Sequence, residues 1–161
     1  MALSATRIIA VVLSLTVPSM VLAAEKGNSY NIDYDGGSLP DVKTGTKMKL
    51  FVDADRIRIT KDKKEDILIP AASVTEISYG QDVHRRVGAA IGLAVISLGV
   101  GALMALTKSK KHFIGVTWAD GDKKGGIAFQ ADKNDYRGLL TGIEGITGRK
   151  AVDSDALTVK N

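Results

Sequence analysis

The side chains that could carry out chemistry are few in this sequence, and they are widely spaced. No cysteine occurs among the 161 residues, which excludes a thiol nucleophile, a zinc–thiolate site and a disulfide framework. The two histidines, His84 and His112, lie beside cations near the two ends of one apolar stretch. Neither has a carboxylate or a second imidazole at a spacing typical of metal ligands. We therefore predict two surface histidines and no metal site.

Motifs of hydrolases, calcium sites and phosphate-binding loops are also missing from the sequence. It contains no Gly-x-Ser-x-Gly element of a serine hydrolase. The acid pairs Asp53/Asp55 and Asp120/Asp122 fall in predicted turns, and each offers too few oxygen ligands for a calcium ion. The run 120–126 lacks the Gly-x4-Gly-Lys-Ser/Thr spacing and predicts a hairpin turn instead. The sequence thus predicts a protein that is not an enzyme and needs no cofactor.

A basic strand face is the best candidate for a ligand-binding surface. Lys47 and Lys49 share the polar face of one predicted strand, and Arg56 and Arg58 share that of the next. In a hairpin these cations lie side by side, and like charges paired across strands are mildly destabilising unless something compensates them. The alternative interpretation is a solvated face whose charge is offset by nearby carboxylates, namely Asp53, Asp55, Glu65 and Asp66.

Residues 1–24 are typical of a secretory signal peptide. Arg7 is their only charged side chain, and a largely apolar core follows from Ile8 to Val17. Small residues end the segment, and cleavage is predicted near Ala23 or Ala24. We expect a mature chain that is exported to the cell envelope, on the periplasmic side. An uncleaved membrane anchor is the alternative.

A second apolar stretch, residues 87–107, contains 21 residues without a charge. As one helix it would be about 31 Å long, close to the roughly 30 Å thickness of the hydrocarbon core of a bilayer. It has no polar face, unlike a helix of a water-soluble protein. We therefore predict an apolar helical insert that associates with a membrane. The cations that flank it and could reach lipid headgroups are Arg85, Arg86, Lys108, Lys110 and Lys111.

Small residues line two faces of this predicted helix. Gly88, Gly92 and Gly99 project within about 40° of one another at 100° per residue. The opposite side carries Ser97, Gly101 and Ala105. Faces of this kind let helices pack closely in lipid, which raises the alternative of a homo-oligomer or of another protein partner. Glycine is also common in membrane helices that have no such role.

The rest of the chain predicts a β-rich domain that ends in one helix. Apolar and polar residues alternate in short runs bounded by glycine, aspartate or proline. The seven runs are 30–34, 48–52, 56–59, 67–69, 74–79, 114–118 and 127–129. Apolar residues then fall at helical spacing from Tyr136 to Ile146, with Asp132 or Asn134 as the N-cap and Gly148 at the end. We expect residues 151–161 to form a flexible tail.

This pattern resembles the pleckstrin-homology (PH) superfold, including its GRAM-like and bacterial variants. The likeness runs through 56–59 and 69–77, resumes at 110–118 and ends with 139–147. It implies a mainly β fold, a seven-stranded antiparallel barrel or sandwich with a C-terminal α-helix. On this interpretation the insert divides one domain into residues 25–86 and 108–150. The resemblance also implies that Lys49, Arg56 and Arg58 correspond to the basic pattern with which some PH domains bind phosphorylated lipid headgroups.

These features lead to two hypotheses about function. The first is an exported, membrane-associated binding or scaffolding module that contacts membrane lipid. The second is a single-pass membrane protein that self-associates through its glycine-rich helix faces. The insert could bend into a hairpin, lie flat on the membrane or span it, and the sequence leaves these arrangements open. The formal net charge of +4 is too small to indicate nucleic-acid binding.

Overall fold

The computed structural model describes residues 28–61, 67–92 and 112–156. These residues form one eight-stranded sheet and two helices. The strands are β1 (Asn28–Gly37), β2 (Lys47–Val52), β3 (Arg56–Thr60), β4 (Ile67–Pro70), β5 (Val74–Tyr79), β6 (His112–Asp120), β7 (Lys123–Ala131) and β8 (Val152–Asp153). The helices are α1 (Val83–Ile91), between β5 and β6, and α2 (Tyr136–Thr147), between β7 and β8.

The strands lie in the order β4-β3-β2-β1-β7-β6-β5-β8. Neighbours are antiparallel except for β5 and β8, which are parallel, so the sheet is mixed. One apolar core contains residues from each of β1 to β7 and from α2. Every long strand therefore contributes side chains to this core. The mainly β fold is confirmed, and each of the seven predicted runs lies within one of the strands β1 to β7. The prediction of seven strands misses β8, which pairs with β5 in parallel.

Two local predictions near the sheet are wrong. The composition of the run Asp35-Gly36-Gly37 predicts a turn, but β1 continues to Gly37 through a bulge between Tyr34 and Gly36. The expected tail begins as an ordered segment instead. Val152 and Asp153 form β8, and the Ser154 amide donates to the Tyr79 carbonyl at 2.7 Å. Residues 157–161 of that predicted tail lie outside the described residues.

The two predicted hairpins are confirmed. In the β2–β3 turn the Asp53 amide donates to the Arg56 carbonyl at 3.0 Å. In the β6–β7 turn Asp120 faces Lys123, and Gly121 between them has a φ of 57°. Glycine adopts such a positive φ without steric cost, which is why a two-residue hairpin can form there.

Helix α2 lies where the sequence predicted it and ends at Gly148, whose φ is 67°. Its apolar face is buried in the core through Leu139 and Ile143. The N-cap prediction is wrong, because the N-cap residue is Asp135. Asp132 lies in the turn that precedes the helix, where its side chain accepts a hydrogen bond from the Asn134 amide at 2.8 Å.

Helix α1 replaces the beginning of the predicted apolar helix. It starts at Val83, four residues before that stretch, and ends at Ile91 because Gly92 adopts a left-handed conformation with φ 74°. Helix α1 thus includes the first five residues of the predicted insert, 87–91, and does not continue through Gly92. The residues from 93 to 107 lie outside the described part of the chain. Within the described ranges, neither helix has the length and apolar character needed to cross a bilayer.

Candidate functional site

Helix α1 packs on the outer face of β6 and β7, opposite the main core. Val83 and Val87 are fully buried there against Phe113 and Ala128. This apolar cluster is separate from the main core. We call the surface under the helix the α1 seat, formed by Phe113, Gly115, Gly126 and Ala128.

Two glycines make the close approach of α1 possible. A Cβ atom on Gly115 would lie 2.7 Å from side-chain atoms of both Val83 and Val87. A Cβ atom on Gly126 would lie 2.8 Å from Val87 and 3.0 Å from Ile91. Contacts this short are not tolerated between carbon atoms, so larger residues at either position would push the helix away from the sheet.

The apolar segment leaves and re-enters one domain. Helix α1 ends at Gly92, directly after Ile91, which packs over Gly126 on β7. The described chain resumes at His112, the first residue of β6. Gly126 faces Thr117 across β6–β7, about 17 Å along the strand from His112. Strands β5 and β6, which lie on either side of the segment in sequence, are hydrogen-bonded neighbours. Both ends of the segment are therefore held by the same sheet.

His84 joins α1 to β1. Its Nδ1 atom lies 2.6 Å from Oδ2 of Asp35, and its ring contacts Phe113 edge-on at 5.1 Å. The contact is an ion pair when the imidazole is protonated. The prediction of a surface histidine is wrong here, because only 19% of the His84 side chain and 9% of the Asp35 side chain are exposed. Sequence reasoning missed the contact because Asp35 lies in a run that resembles a turn.

The arginines predicted to reach lipid headgroups have partners within the domain. Arg86 makes a two-point contact with Glu76 on β5, at 3.0 and 2.8 Å. Arg85 is mostly exposed and lies 3.5 Å from Asp82, just before α1. Arg86 therefore connects α1 to the sheet, whereas the ion pair of Arg85 is with Asp82, the N-cap residue of its own helix. The predicted positions Lys108, Lys110 and Lys111 lie outside the described residues.

The glycines predicted for helix packing in lipid have local roles where the structure describes them. Gly88 is buried within α1, and Gly92 ends the helix. Packing of these glycines against another helix in lipid stays a prediction. The other predicted packing positions, Gly99, Ser97, Gly101 and Ala105, lie outside the described residues.

The four cations of the predicted basic face do lie on the outer face of β2 and β3. Three of them contact carboxylates. The pairs are Lys47–Asp33 at 3.4 Å, Arg56–Asp55 at 2.7 Å and Arg58–Asp53 at 3.0 Å. The Arg56 guanidinium lowers the pKa of the Asp55 carboxyl below its usual value. These seven side chains, which include Lys49, carry one net positive charge.

Strand register also separates the four cations. Lys49 faces Thr60 across the hairpin and has no carboxylate partner among the described residues. Arg58 faces Phe51, and its guanidinium lies 4.1 Å from the centre of that ring. A shallow pocket of about 220 Å³ lies at the other end of β3, between Arg56, Leu68 and Pro70. The geometry brings the cations onto one face but does not converge them on one point.

His112 stacks on Tyr136 at the start of β6, and Tyr79 lies beside both rings. The His112 ring centre lies 3.7 Å from that of Tyr136, and its Nδ1 atom lies 3.4 Å from the Tyr79 hydroxyl. Arg137 donates to the Tyr136 hydroxyl at 2.9 Å and lowers the pKa of that phenol. His112 is half-buried in this stack, so it ties the returning chain to β5 and α2. No group of three potential metal ligands occurs in the described ranges.

Small residues on the outer face of β6 and β7 are the sequence signal that could have identified the α1 seat. Gly115 alternates with core residues of β6, and Gly126 and Ala128 do so on β7. Glycine inside a strand marks a place where another part of the chain approaches closely. The glycines of β6 and β7 could therefore have indicated that another part of the chain packs on this face, and the start of the apolar stretch was a candidate for it.

Two comparisons with known proteins found no match for this sequence. A scan against protein-family models found no match for this sequence. A search of curated proteins likewise found no match. Functional residues are therefore inferred from the α1 seat and from the two chain ends beside it.

Proposed function

We propose that this protein is an exported, membrane-associated and non-enzymatic binding or scaffolding module. In this proposal a PH-like β domain lies at the membrane surface, and the apolar segment that emerges from it contacts lipid. The observation that carries the proposal is that the chain ends α1 at Gly92 and returns as β6 at His112, both on one sheet, with the uncharged residues 92–107 in between.

The length of the free apolar segment favours partial entry into the bilayer. With α1 on its seat, residues 92–107 remain, which are 16 uncharged positions. A helix of that length would be about 24 Å long, less than the roughly 30 Å of the hydrocarbon core. Pairing of β5 with β6 also argues against a single-pass protein, because one crossing would place these strands on opposite sides of the membrane.

The strand order supports the PH-like part of the proposal. Strands β1 to β4 form one antiparallel meander, β5 to β7 form another, and β1 joins the two by pairing with β7. Helix α2 covers the core that they enclose. The resemblance to the PH superfold implies a seven-stranded antiparallel barrel or sandwich with a C-terminal helix. The two meanders and the position of α2 support that proposal, and the parallel strand β8 is an addition to it.

The basic face contributes little to the proposed membrane contact. Its carboxylate partners leave one net positive charge on the outer face of β2 and β3. Each basic residue near an anionic membrane contributes about 1 kcal/mol, so this face alone would give weak attraction. Apolar insertion is therefore expected to dominate, and binding should depend only slightly on salt and on lipid charge.

Vesicle flotation tests this function. The mature chain should float with phosphatidylcholine vesicles, and nearly as well with vesicles that also contain phosphatidylglycerol. Replacing residues 93–107 by a glycine–serine linker of equal length should abolish flotation, whereas Lys47→Glu/Lys49→Glu should retain most of it. Retention of the linker variant on the vesicles, or loss of binding in the double-charge variant alone, would contradict insertion through the apolar segment.

The arrangement of the domain on the membrane has its own test. Because the chain has no native cysteine, Asp82→Cys and Asp122→Cys introduce unique thiols on either side of the segment in sequence. A membrane-impermeant maleimide added to one side of the membrane should label both variants to the same extent. Labelling of only one of them would indicate a single crossing and would favour the self-associating alternative.

A further inference from the structure

Tyr79 on β5 and Tyr136 on α2 lie side by side with nearly parallel rings. Their ring centres are 5.7 Å apart, and their ring planes differ by 6°. His112 covers one face of Tyr136 at 3.7 Å, and its centre lies 6.4 Å from that of Tyr79. A ring on the opposite face of Tyr136 would be much farther from His112. Tyr79 is therefore beside Tyr136 and not stacked on it.

The hydroxyl groups of the two tyrosines meet. The Tyr79 hydroxyl donates a hydrogen bond to the Tyr136 oxygen. Two tyrosines in line that met only through their oxygens would have ring centres much farther apart than 5.7 Å. The two C–O bonds therefore converge, so the ring carbon next to each C–O bond, the ortho carbon, faces the neighbouring ring.

Arg137 and His112 assist the loss of a proton from this pair. Arg137 Nε donates to the Tyr136 oxygen at 2.9 Å and lowers the pKa of that phenol. Burial raises the pKa of Tyr79, whose hydroxyl lies 3.4 Å from His112 Nδ1, a nitrogen that accepts a proton when the imidazole is neutral. A phenolate gives up an electron more readily than a neutral phenol because it already carries a negative charge. Tyr136 is therefore the ring that a one-electron oxidant attacks first.

The rest of the sequence leaves this pair as the favoured place for coupling. Both rings are partly exposed, and the chain has no cysteine, whose thiolate would otherwise compete for an oxidant. The remaining two of the four tyrosines are Tyr30 and Tyr34. Tyr34 is only 3% exposed, and neither ring contacts another aromatic ring among the described residues. Tyr30, which is also partly exposed, provides a matched control.

We propose that Tyr79 and Tyr136 form a modification site at which a peroxidase with hydrogen peroxide joins the two rings as a dityrosine. Each phenol loses one electron and one proton, and the two phenoxyl radicals form a C–C bond between their ortho carbons. The hydrogen atom on each of these carbons then moves to the ring oxygen, which restores two phenols. The two electrons and two protons reduce one hydrogen peroxide to two water molecules. The product links β5 covalently to α2, and this inference does not depend on the proposed function.

Peroxidase treatment of the purified chain tests the site. Wild type should give dityrosine fluorescence in the monomer, a mass lower by two hydrogen atoms, and a cross-linked peptide that contains Tyr79 and Tyr136. Tyr79→Phe and Tyr136→Phe should each abolish this product while keeping the ring in place, whereas Tyr30→Phe should retain it. An equal yield of intramolecular dityrosine in Tyr79→Phe, or coupling only between chains, would overturn the site.

The role of the fold has a separate readout. Unfolding in urea separates the two rings, so the yield of the Tyr79–Tyr136 product should fall roughly tenfold. Arg137→Gln should slow the reaction and move its pH profile upward, because the Tyr136 phenolate loses its donor, whereas Arg149→Gln should change neither. The cross-link joins residues that are 57 positions apart and should therefore raise Tm. The same yield in folded and unfolded chain would overturn the inference that the structure prepares this pair for coupling.

Discussion

Nδ1 of His84 lies 2.6 Å from Oδ2 of Asp35 and so connects the first turn of α1 to the bulge in β1. The two side chains are mostly buried under the helix, where water cannot replace a lost partner. The contact joins residues that are 49 positions apart, and it places a titratable pair directly beside the element that precedes the apolar segment.

Breaking this pair is expected to destabilise the domain. His84→Leu leaves the buried Asp35 carboxylate without its imidazole partner and should lower the free energy of unfolding by about 2 kcal/mol. Adding Asp35→Asn removes the buried charge, so the double variant should recover about half of that loss. Urea denaturation of the two single variants and the double variant gives the coupling energy. Strictly additive losses would show that the two side chains act independently.

Adding a side chain at a glycine of the α1 seat should also destabilise the fold. A Cβ atom on Gly115 would lie 2.5 Å from Ser78 Oγ and 2.7 Å from Val83 and Val87. We expect Gly115→Ala to cost about 1–3 kcal/mol through overpacking. Gly145→Ala is the matched control, because its Cβ would meet nothing within 4 Å on an exposed helix position, and it should stabilise by about 0.5–1 kcal/mol. A Gly115→Ala variant as stable as wild type would mean that α1 does not pack this closely.

Acid should weaken the connection between α2 and the C-terminal segment. The Ala151 amide donates to Glu144 Oε1 at 2.7 Å and lowers the pKa of that carboxyl, with a smaller contribution from Lys150. A lowered folded-state pKa means that the stabilisation is present above the ordinary glutamate value, about 4.3, and is lost as the pH falls through the folded-state value. Wild type should therefore lose more Tm between neutral and acidic pH than Glu144→Gln does. Identical acid sensitivity would contradict this role.

The phenols should ionise in a fixed order. Burial raises the pKa of Tyr34 above its usual value, whereas the Arg137 guanidinium lowers that of Tyr136. For an acid whose folded-state pKa is raised, stabilisation is present below the ordinary value of about 10 and is lost as the pH rises. In an ultraviolet titration Tyr136→Phe should remove the earliest phenolate signal, and Tyr34→Phe should remove a late one. The reverse order would contradict the environments described for these rings.

Local periodicity determined most of the sheet and α2. The alternation in 48–52 and 56–59 depends only on a two-residue repeat with one face toward apolar surroundings, and both runs became strands in the predicted hairpin. The spacing of Leu139 and Ile143 predicted the buried face of α2 for the same reason. Such patterns are properties of neighbouring residues, so a sequence can specify them before any tertiary contact is known.

Tertiary structure alone decided what the start of the apolar stretch contacts. The hydrophobicity of Val87 predicts that its side chain is removed from water, but both lipid and an apolar protein surface would achieve that. The choice of the sheet depends on Gly115 and Gly126, which make room for α1 only after β6 and β7 have paired. The contact of His84 with Asp35 likewise requires the β1 bulge and α1 to meet in space, and no spacing along the chain encodes that meeting.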